Sequence, residues 1–288
     1  MQYQKPVNDL IAERISIRSY LNTPVASHTR AELGACLTEA TQGPLGSSMR
    51  FMFIGATDEN RQELKGLMTY GMIKNPMGYV IGAVVRGPHA MEDYGYVMEQ
   101  IVLKCTDLGL GTCWVAATFN KSTFAKKMGI GEQEDVAAIL PLGNPLHKRT
   151  LRETMVRYGL GSNKRKPWED LFFQGSKPLS HAEAGLYAIP LEMVRLGPSS
   201  TNLQPWRILK QADLPVFHFY VKRNFGYRQL GAITVNSDTQ RVDVGIAMCH
   251  FELSAQEAGQ KGAWGTIAPR LKEVDSSLEF VATWTAAN

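Results

Sequence analysis

The stretch Gly197-Pro-Ser-Ser-Thr-Asn-Leu-Gln-Pro-Trp206 decides how this 288-residue chain is interpreted. The run Leu191–Leu196 before it has helical character, and Pro198 ends that helix because proline lacks a backbone donor and restricts the preceding residue. The hydroxyls and free backbone N–H groups of the loop suit a phosphate or a sugar-alcohol chain. The amides of Asn202 and Gln204 can read the edge of a heterocycle. The same letters also fit a polar turn ahead of a strand.

Composition and charge indicate an ordinary globular protein, with 44% hydrophobic and 20% charged residues in a length that suits one large domain or two smaller ones. The net charge of +4 is scattered, which argues against a nucleic-acid partner but suits a small anionic ligand. No apolar run approaches the roughly 18 residues that span a membrane, and no secretory signal is visible. The four cysteines lack paired spacing. We therefore expect a cytoplasmic protein with reduced thiols and no membrane partner.

Hydrophobic periodicity predicts a mixed α+β chain. Helices are predicted over 7–15, 29–41, 58–67 and 92–108, and strands over 49–55, 79–85, 136–142 and 206–209. The pair Gly109 and Gly111 is not a dinucleotide fingerprint, because Trp114 occupies the third glycine position and the pair follows a helix. The six histidines lack metal-ligand spacing, so we expect no metal site.

A second polar motif, Arg14-Ile-Ser-Ile-Arg-Ser-Tyr20, lies where the first predicted helix gives way to a loop. If the chain bends there, two guanidinium groups and the Ser16 hydroxyl can converge on one anion. Two solvated arginines are the alternative interpretation. The two polar motifs are far apart, since 184 positions separate Arg14 from Pro198.

These motifs resemble those of the FMN-dependent nitroreductase family. Residues 197–206 resemble its Pro-Ser-Ser-x-Asn-x-Gln-Pro-Trp signature, and residues 14–18 are similar to its Arg-x-Ser-x-Arg motif. Three further segments are similar to family segments: Gly109–Val115, Gly143–Pro145 and Arg165–Glu169. The resemblance implies a nitroreductase-like α+β fold with mixed β-sheets flanked by helices.

The chain also repeats itself. Asp93-x-Gly95 is followed by Gly109 and Trp114, and Asp243-x-Gly245 is followed by Gly259 and Trp264 with the same gaps of 14 and 5. We therefore predict two tandem halves. Residues 1–178 carry the Arg-x-Ser-x-Arg motif, and residues 179–288 form a shorter half with the Pro-Ser-Ser motif.

Each motif survives in only one half, since Ser48–Met52 stand where the first half would carry Asn-x-Gln-Pro-Trp. Family members are homodimers whose FMN sites take one motif from each subunit. The resemblance thus implies an intramolecular pseudo-dimer: a monomer that mimics the family dimer and holds one complete site, with further association left open.

The resemblance also implies which residues bind FMN. They are Arg14, Ile15, Ser16, Arg18, Trp114, Val115, Ala116, Ala117, Lys164, Arg165, Pro198, Ser199, Ser200, Asn202 and Gln204. Arg14, Ser16, Ser199 and Arg165 are expected at the phosphate and ribityl chain, with Lys164 as a further candidate. Arg18 is expected near N1 and O2 of the flavin, and the backbone of residues 115–117 near N5 and O4.

The implied function is an FMN-dependent oxidoreductase that passes hydride from NAD(P)H through flavin N5 to a nitroaromatic, a quinone or a similar small acceptor. No catalytic side chain is expected, because the flavin carries the chemistry. Two alternatives stay open: a flavin-binding sensor or carrier without turnover, and a family offshoot such as a dehalogenase or a flavin-cleaving enzyme.

Overall fold

The fold is known from a computed structural model of the chain. It describes residues 1–57, 64, 67, 69, 71–116, 119–146, 164–224, 237–269 and 275–287. The predicted helix over 58–67 lies almost wholly outside the described residues, as does Ala117.

Seven helices and eleven strands are described, in the α+β mixture that the sequence predicts. The helices are α1 Val7–Glu13, α2 Ser27–Glu39, α3 Ala90–Asp107, α4 Lys121–Met128, α5 His181–Ala184, α6 Ala188–Leu196 and α7 Thr239–Glu257. The strands are β1 Met49–Gly55, β2 Gly78–Val85, β3 Gly111–Thr112, β4 Glu134–Asp135, β5 Ile139–Gly143, β6 Phe172–Gln174, β7 Lys177–Pro178, β8 Trp206–Lys210, β9 Val216–Lys222, β10 Gly262–Gly265 and β11 Leu278–Ala286.

The predicted strand over 136–142 is wrong at its start, because β5 begins only at Ile139. Val136, Ala137 and Ala138 are buried but lie between the two short ladders that β4 and β5 form with β2. The carbonyl of Ala138 accepts a hydrogen bond of 2.6 Å from the Tyr94 hydroxyl instead of a strand partner. Periodicity reports burial, and burial here continues past the end of the ladder.

The two sheets repeat one topology. The first has the order β1-β2-β5-β3, with β4 also paired to β2, and the second has the order β10-β11-β9-β8-β6-β7. In each half the chain forms two strands and a long helix, and then the strands that complete the order, so β8-β9-β11-β10 corresponds to β1-β2-β5-β3. This is the tandem arrangement predicted from the repeated motifs.

One strand crosses between the halves. β6 precedes the predicted boundary at 178/179, yet it pairs in parallel with β8 of the second sheet, from Phe172 opposite Ile208 to Gln174 opposite Lys210. β7 extends the same edge by pairing with β6. The end of the first half is therefore hydrogen-bonded into the sheet of the second half.

The long helices α3 and α7 join the halves. Gly95 of α3 faces the backbone of Val242, and Gly245 of α7 faces the backbone of Glu92, so two glycines allow a close crossing. Side chains of both helices are buried in one common core: Val97, Ile101, Cys105, Ala247, Phe251 and Ala255. The halves thus share a hydrophobic interior.

Within the described part of the chain, no helix is both long and apolar enough to cross a membrane. The four cysteines are free thiols, and three of them are buried. The residues that are described include no group of three or more His, Cys, Asp or Glu side chains arranged to hold a metal ion.

Candidate functional site

A cavity of about 410 Å³ lies between the two halves. The described residues that line it are Ile11, Ala12, Arg14, Ile15, Ser16, Arg18, Met72, Ile73, Cys113, Trp114, Val115, Ala116, Arg165, Leu196, Pro198, Ser199, Ser200, Thr201, Asn202, Thr239, Val242, Asp243 and Ile246. Both predicted motifs therefore reach the same cavity, although they are far apart in sequence.

The segment after α1 presents the first motif. Helix α1 ends at Glu13, and Arg14 takes an extended backbone conformation. The chain then runs beside β3, where the Ile17 N–H donates to the Thr112 carbonyl at 2.8 Å. In an extended segment alternate side chains share a side. Arg14, Ser16 and Arg18 accordingly line the cavity together.

The loop after α6 presents the second motif. Its backbone is left-handed at Thr201, Asn202 and Gln204, with φ of 48°, 59° and 48°, a conformation that is rare for a β-branched residue such as threonine. The Ser199 hydroxyl holds the loop by accepting the Gln204 N–H at 2.9 Å. Non-glycine residues in this region typically mark sites where the surrounding structure imposes the backbone.

Arg165 joins the loop to the end of the first half. Its guanidinium donates to the Asn202 side-chain oxygen at 3.1 Å and to the Leu196 carbonyl at 3.1 Å, and it lines the cavity. Asn202 in turn donates from its amide to the Lys164 carbonyl at 2.8 Å. A hydrogen-bonded frame from both halves therefore borders this side of the cavity.

Lys164 and Gln204 do not line the cavity, in contrast to the expectation from the motifs. Lys164 is exposed and contributes its carbonyl to the frame. Gln204 is 2% exposed, and its side-chain oxygen accepts the Lys166 N–H at 2.8 Å. The physical reason is that residues 164–166 have backbone groups that need partners, and the Gln204 amide offers both an acceptor and a donor.

A buried polar network lies directly behind the cavity wall. The Glu99 carboxylate, fully buried on α3, accepts the Trp114 indole N–H at 2.7 Å and lies 3.8 Å from Nε of Arg14. It also lies 2.9 Å from Nε2 of His250, a fully buried residue of α7. One carboxylate of the first half therefore contacts two cavity-lining side chains and the second half at once.

His250 bridges α6 and α3 in the interior. Its Nδ1 lies 2.9 Å from the Met193 carbonyl, and its Nε2 lies 2.9 Å from the Glu99 carboxylate. Both partners are hydrogen-bond acceptors, so the imidazole ring connects the two helices through buried polar contacts.

The cavity is electropositive. Among the described lining residues, three arginines face a single acid, Asp243. Burial lowers the pKa of Arg14 from its ordinary value, and the Glu99 carboxylate acts in the opposite direction. Arginine stays charged through such shifts. The arrangement favours an anionic ligand.

Comparison with known families agrees with this geometry. The family model described as "Putative TM nitroreductase" matches residues 7–255. The chain belongs to this nitroreductase family. The family resemblance read from the motifs is thereby confirmed. None of the curated proteins matches the chain.

Solved structures of nitroreductases are similar to the chain in fold. A putative nitroreductase from Thermotoga maritima covers 99% of this chain and 95% of its own, with 18% identity and a TM-score of 0.61. A putative nitroreductase in complex with FMN from Desulfovibrio desulfuricans covers 52% and 95%, with 19% identity and a TM-score of 0.38. A nitroreductase with bound FMN from Bacteroides fragilis covers 51% and 92%, with 16% identity and a TM-score of 0.38. The full-length similarity confirms the predicted nitroreductase-like fold.

The sequence motifs of this nitroreductase did not predict several of the residues that line the cavity. The side of the cavity formed by α7 was missed, namely Thr239, Val242, Asp243 and Ile246. Met72 and Ile73 were missed as well. The repeated Asp-x-Gly pattern contained a signal for the α7 side, because its aspartate in the second half is Asp243. Glu99 and His250 have no local signal, since each is one of several polar residues in its helix and no motif singles it out.

Proposed function

We propose that the chain is an FMN-dependent oxidoreductase that takes hydride from NAD(P)H and passes it to a small acceptor such as a nitroaromatic or a quinone. One observation carries the proposal. A single cavity is lined by the Arg14–Arg18 segment of one half and the Pro198–Asn202 loop of the other. Family membership supplies the reaction class.

The lining residues fit FMN. The volume of about 410 Å³ lies within the roughly 300–1,000 Å³ typical of small-molecule sites. The arginines suit a phosphate, which they bind through charge-assisted hydrogen bonds. Apolar side chains such as Val115 and Ile246 suit the faces of a planar ring. When bound, a flavin supplies the capacity to accept a hydride and release it to an acceptor.

Within this proposal the residues of the chain bind and orient. Arg14, Ser16 and Ser199 hold the phosphate and the ribityl chain. Arg165 shares that task and keeps Asn202 in place. Arg18 supplies positive charge at the pyrimidine end. Glu99 keeps Arg14 and the Trp114 ring in position from behind the cavity wall.

The proposal includes one FMN per chain and a monomeric pseudo-dimer. Arg50 occupies the first-half position that corresponds to Gln204, but it lies on β1 and forms an ion pair with Glu134 at 2.7 Å. The Arg50 side chain is 44% exposed, so this pair lies at the surface. Flavin and phosphate assays on denatured protein should give a ratio near one flavin per chain, and a ratio near two would contradict the single site.

The two arginines form a matched pair of variants. Arg14→Ala should weaken FMN binding about tenfold to hundredfold, since a hydrogen bond to a charged group contributes about 1.5–3 kcal/mol. Arg50→Ala should leave the affinity unchanged, because its partners are surface groups. Flavin fluorescence titration of the apoprotein measures both. Equal losses would rule out the assigned site.

Turnover separates the reductase from a flavin-binding protein. Anaerobic addition of NADH or NADPH should bleach the visible flavin absorbance of the holoprotein, and a quinone or nitroaromatic should restore it. A protein that binds FMN but is reduced by neither donor would instead support a sensor or carrier.

A further inference from the structure

Asp243 lies in the wall of the cavity, and only one of its two carboxylate oxygens has a hydrogen-bond partner among the described residues. It sits in the second turn of α7 and is 3% exposed. One oxygen, Oδ1, accepts the Ser200 N–H at 2.9 Å. The other, Oδ2, is buried and has no hydrogen-bond partner among the described residues. A buried polar atom in this state needs a partner, and the cavity is the space beside it.

Asp93, the corresponding residue of the first half, has hydrogen bonds to both of its carboxylate oxygens. Asp93 is also buried at the start of a long helix, and its two oxygens accept the Leu45 and Ser47 N–H groups, each at 2.8 Å. Both oxygens of Asp93 are therefore hydrogen-bonded to the loop that contains Leu45 and Ser47. The loop of the second half supplies only the Ser200 N–H, so one oxygen remains for a ligand.

The unpaired oxygen also constrains the protonation state. An ionised carboxylate with an unpaired buried oxygen is costly, and among the described residues no arginine forms an ion pair with Asp243. A protonated carboxyl becomes a donor at Oδ2 and keeps Oδ1 as the acceptor for Ser200. A flavin offers matching acceptors in its ring nitrogens, its pyrimidine oxygens and its ribityl hydroxyls.

We infer that Asp243 is a protonated cofactor-binding residue that donates a hydrogen bond from Oδ2 to an acceptor atom of the bound FMN. The inference rests on the proposed FMN site. It adds a binding residue from α7 that lies outside both motifs and gives cofactor affinity a dependence on pH.

The surroundings of Asp243 support the protonated state. Burial raises its pKa well above the ordinary range, the Asp238 carboxylate acts in the same direction, and the Ser200 N–H opposes both. The charged groups around it are Asp238 and Arg241 on α7 and its N-terminus, Glu92 on α3, and Arg14, Arg18 and Arg165 in the cavity lining. Arg241 is itself paired with Glu92 and Asp238.

The test compares the wild type with Asp243→Asn. Asparagine keeps an oxygen for Ser200 and places a permanent N–H donor where the protonated acid would have its own. FMN affinity of the two apoproteins is measured by fluorescence titration between pH 6 and pH 9. The FMN phosphate titrates in both proteins, so the ratio of the two dissociation constants isolates Asp243.

The variant should match the wild type within about threefold at pH 6, because the acid and the amide present the same donor. As Asp243 ionises at higher pH, wild-type affinity should fall by up to about tenfold per pH unit relative to the variant. Asp93→Asn serves as the matched control and should follow the wild-type profile. Infrared spectra of the holoprotein should show a protonated-carboxyl band that Asp243→Asn removes.

A ratio that shifts in favour of the wild type as pH rises would overturn the inference, as would a tenfold or greater loss of affinity in Asp243→Asn at pH 6. The infrared comparison needs no affinity change, so absence of the carboxyl band from the wild type at pH 6 also overturns it. A wild type that binds FMN at no pH would refute the FMN site itself, and that outcome is distinct from a failure at Asp243 alone.

Discussion

The crossing of α3 and α7 predicts a large effect from one methyl group. A Cβ added at Gly245 would lie 1.9 Å from the carbonyl oxygen of Glu92, and one added at Gly95 would lie 2.1 Å from that of Val242. Both obstructing atoms are helix backbone, so neither can rotate aside. Real Cβ atoms essentially never approach within 3.0 Å, and a gap of 1.9 Å must open by at least about 1.1 Å.

Gly245→Ala should therefore destabilise the protein by about 2–3 kcal/mol, in the upper part of the range for overpacked cores. For a chain of this size such a loss lowers the melting temperature by roughly 4–12 °C. Urea unfolding followed by circular dichroism gives the free energy, and the thermal scan gives the second value. FMN affinity should fall as well, because Asp243 and Ile246 on the same helix line the cavity.

Gly34→Ala is the matched control. Gly34 lies within α2, and a Cβ there would meet nothing within 4 Å. Removing a glycine from a helix interior at such a site should stabilise the protein by about 0.5–1 kcal/mol. A Gly245→Ala protein as stable as the Gly34→Ala protein would refute the close crossing of the two helices.

Three further outcomes are expected. Glu99→Ala should cost about 3–5 kcal/mol in urea unfolding, because it removes the buried carboxylate that contacts both Arg14 and His250; a cost below about 1 kcal/mol would contradict the importance of these contacts. Burial raises the pKa of Asp243, so its contribution to stability is complete below its unfolded pKa of about 4 and is lost as pH rises through its folded pKa. Asp243→Asn should therefore be more stable than the wild type at pH 8. Equal stability of the two proteins at all pH values would exclude this. Fragments 1–178 and 179–288 should hold FMN only when expressed together, as gel filtration with flavin absorbance would show; a yellow 1–178 fragment alone would exclude the shared site.

The parts of the fold that were predictable from sequence depend on near neighbours. β1 has the predicted bounds, Met49–Gly55, because its apolar run is set off by a polar residue before it and a turn region after it. Helix α3 was predicted within two residues at each end because its apolar face repeats every three or four positions. The start of β5 was not predictable, because a tyrosine hydroxyl 44 positions away takes the Ala138 carbonyl.

The candidate site divides in the same way. The two motifs predict an anion-binding segment and a polar loop from residue type and spacing. They do not distinguish Asn202, which lines the cavity, from Gln204, which ties down residues 164–166. That distinction depends on which neighbour each amide meets after folding. The assignment of these residues to FMN stays a prediction.

The sequence by itself determined the family, the α+β class and the repeat, because each is written in motifs of a few residues or in periodicity along one element. Only the tertiary structure decided that β6 joins the second sheet, that Glu99 meets His250 from 151 positions away, and that one oxygen of Asp243 has no hydrogen-bond partner among the described residues. These contacts exist because two helices cross at paired glycines and bring the halves together. Their partners are set by three-dimensional distance, which short stretches of sequence do not encode.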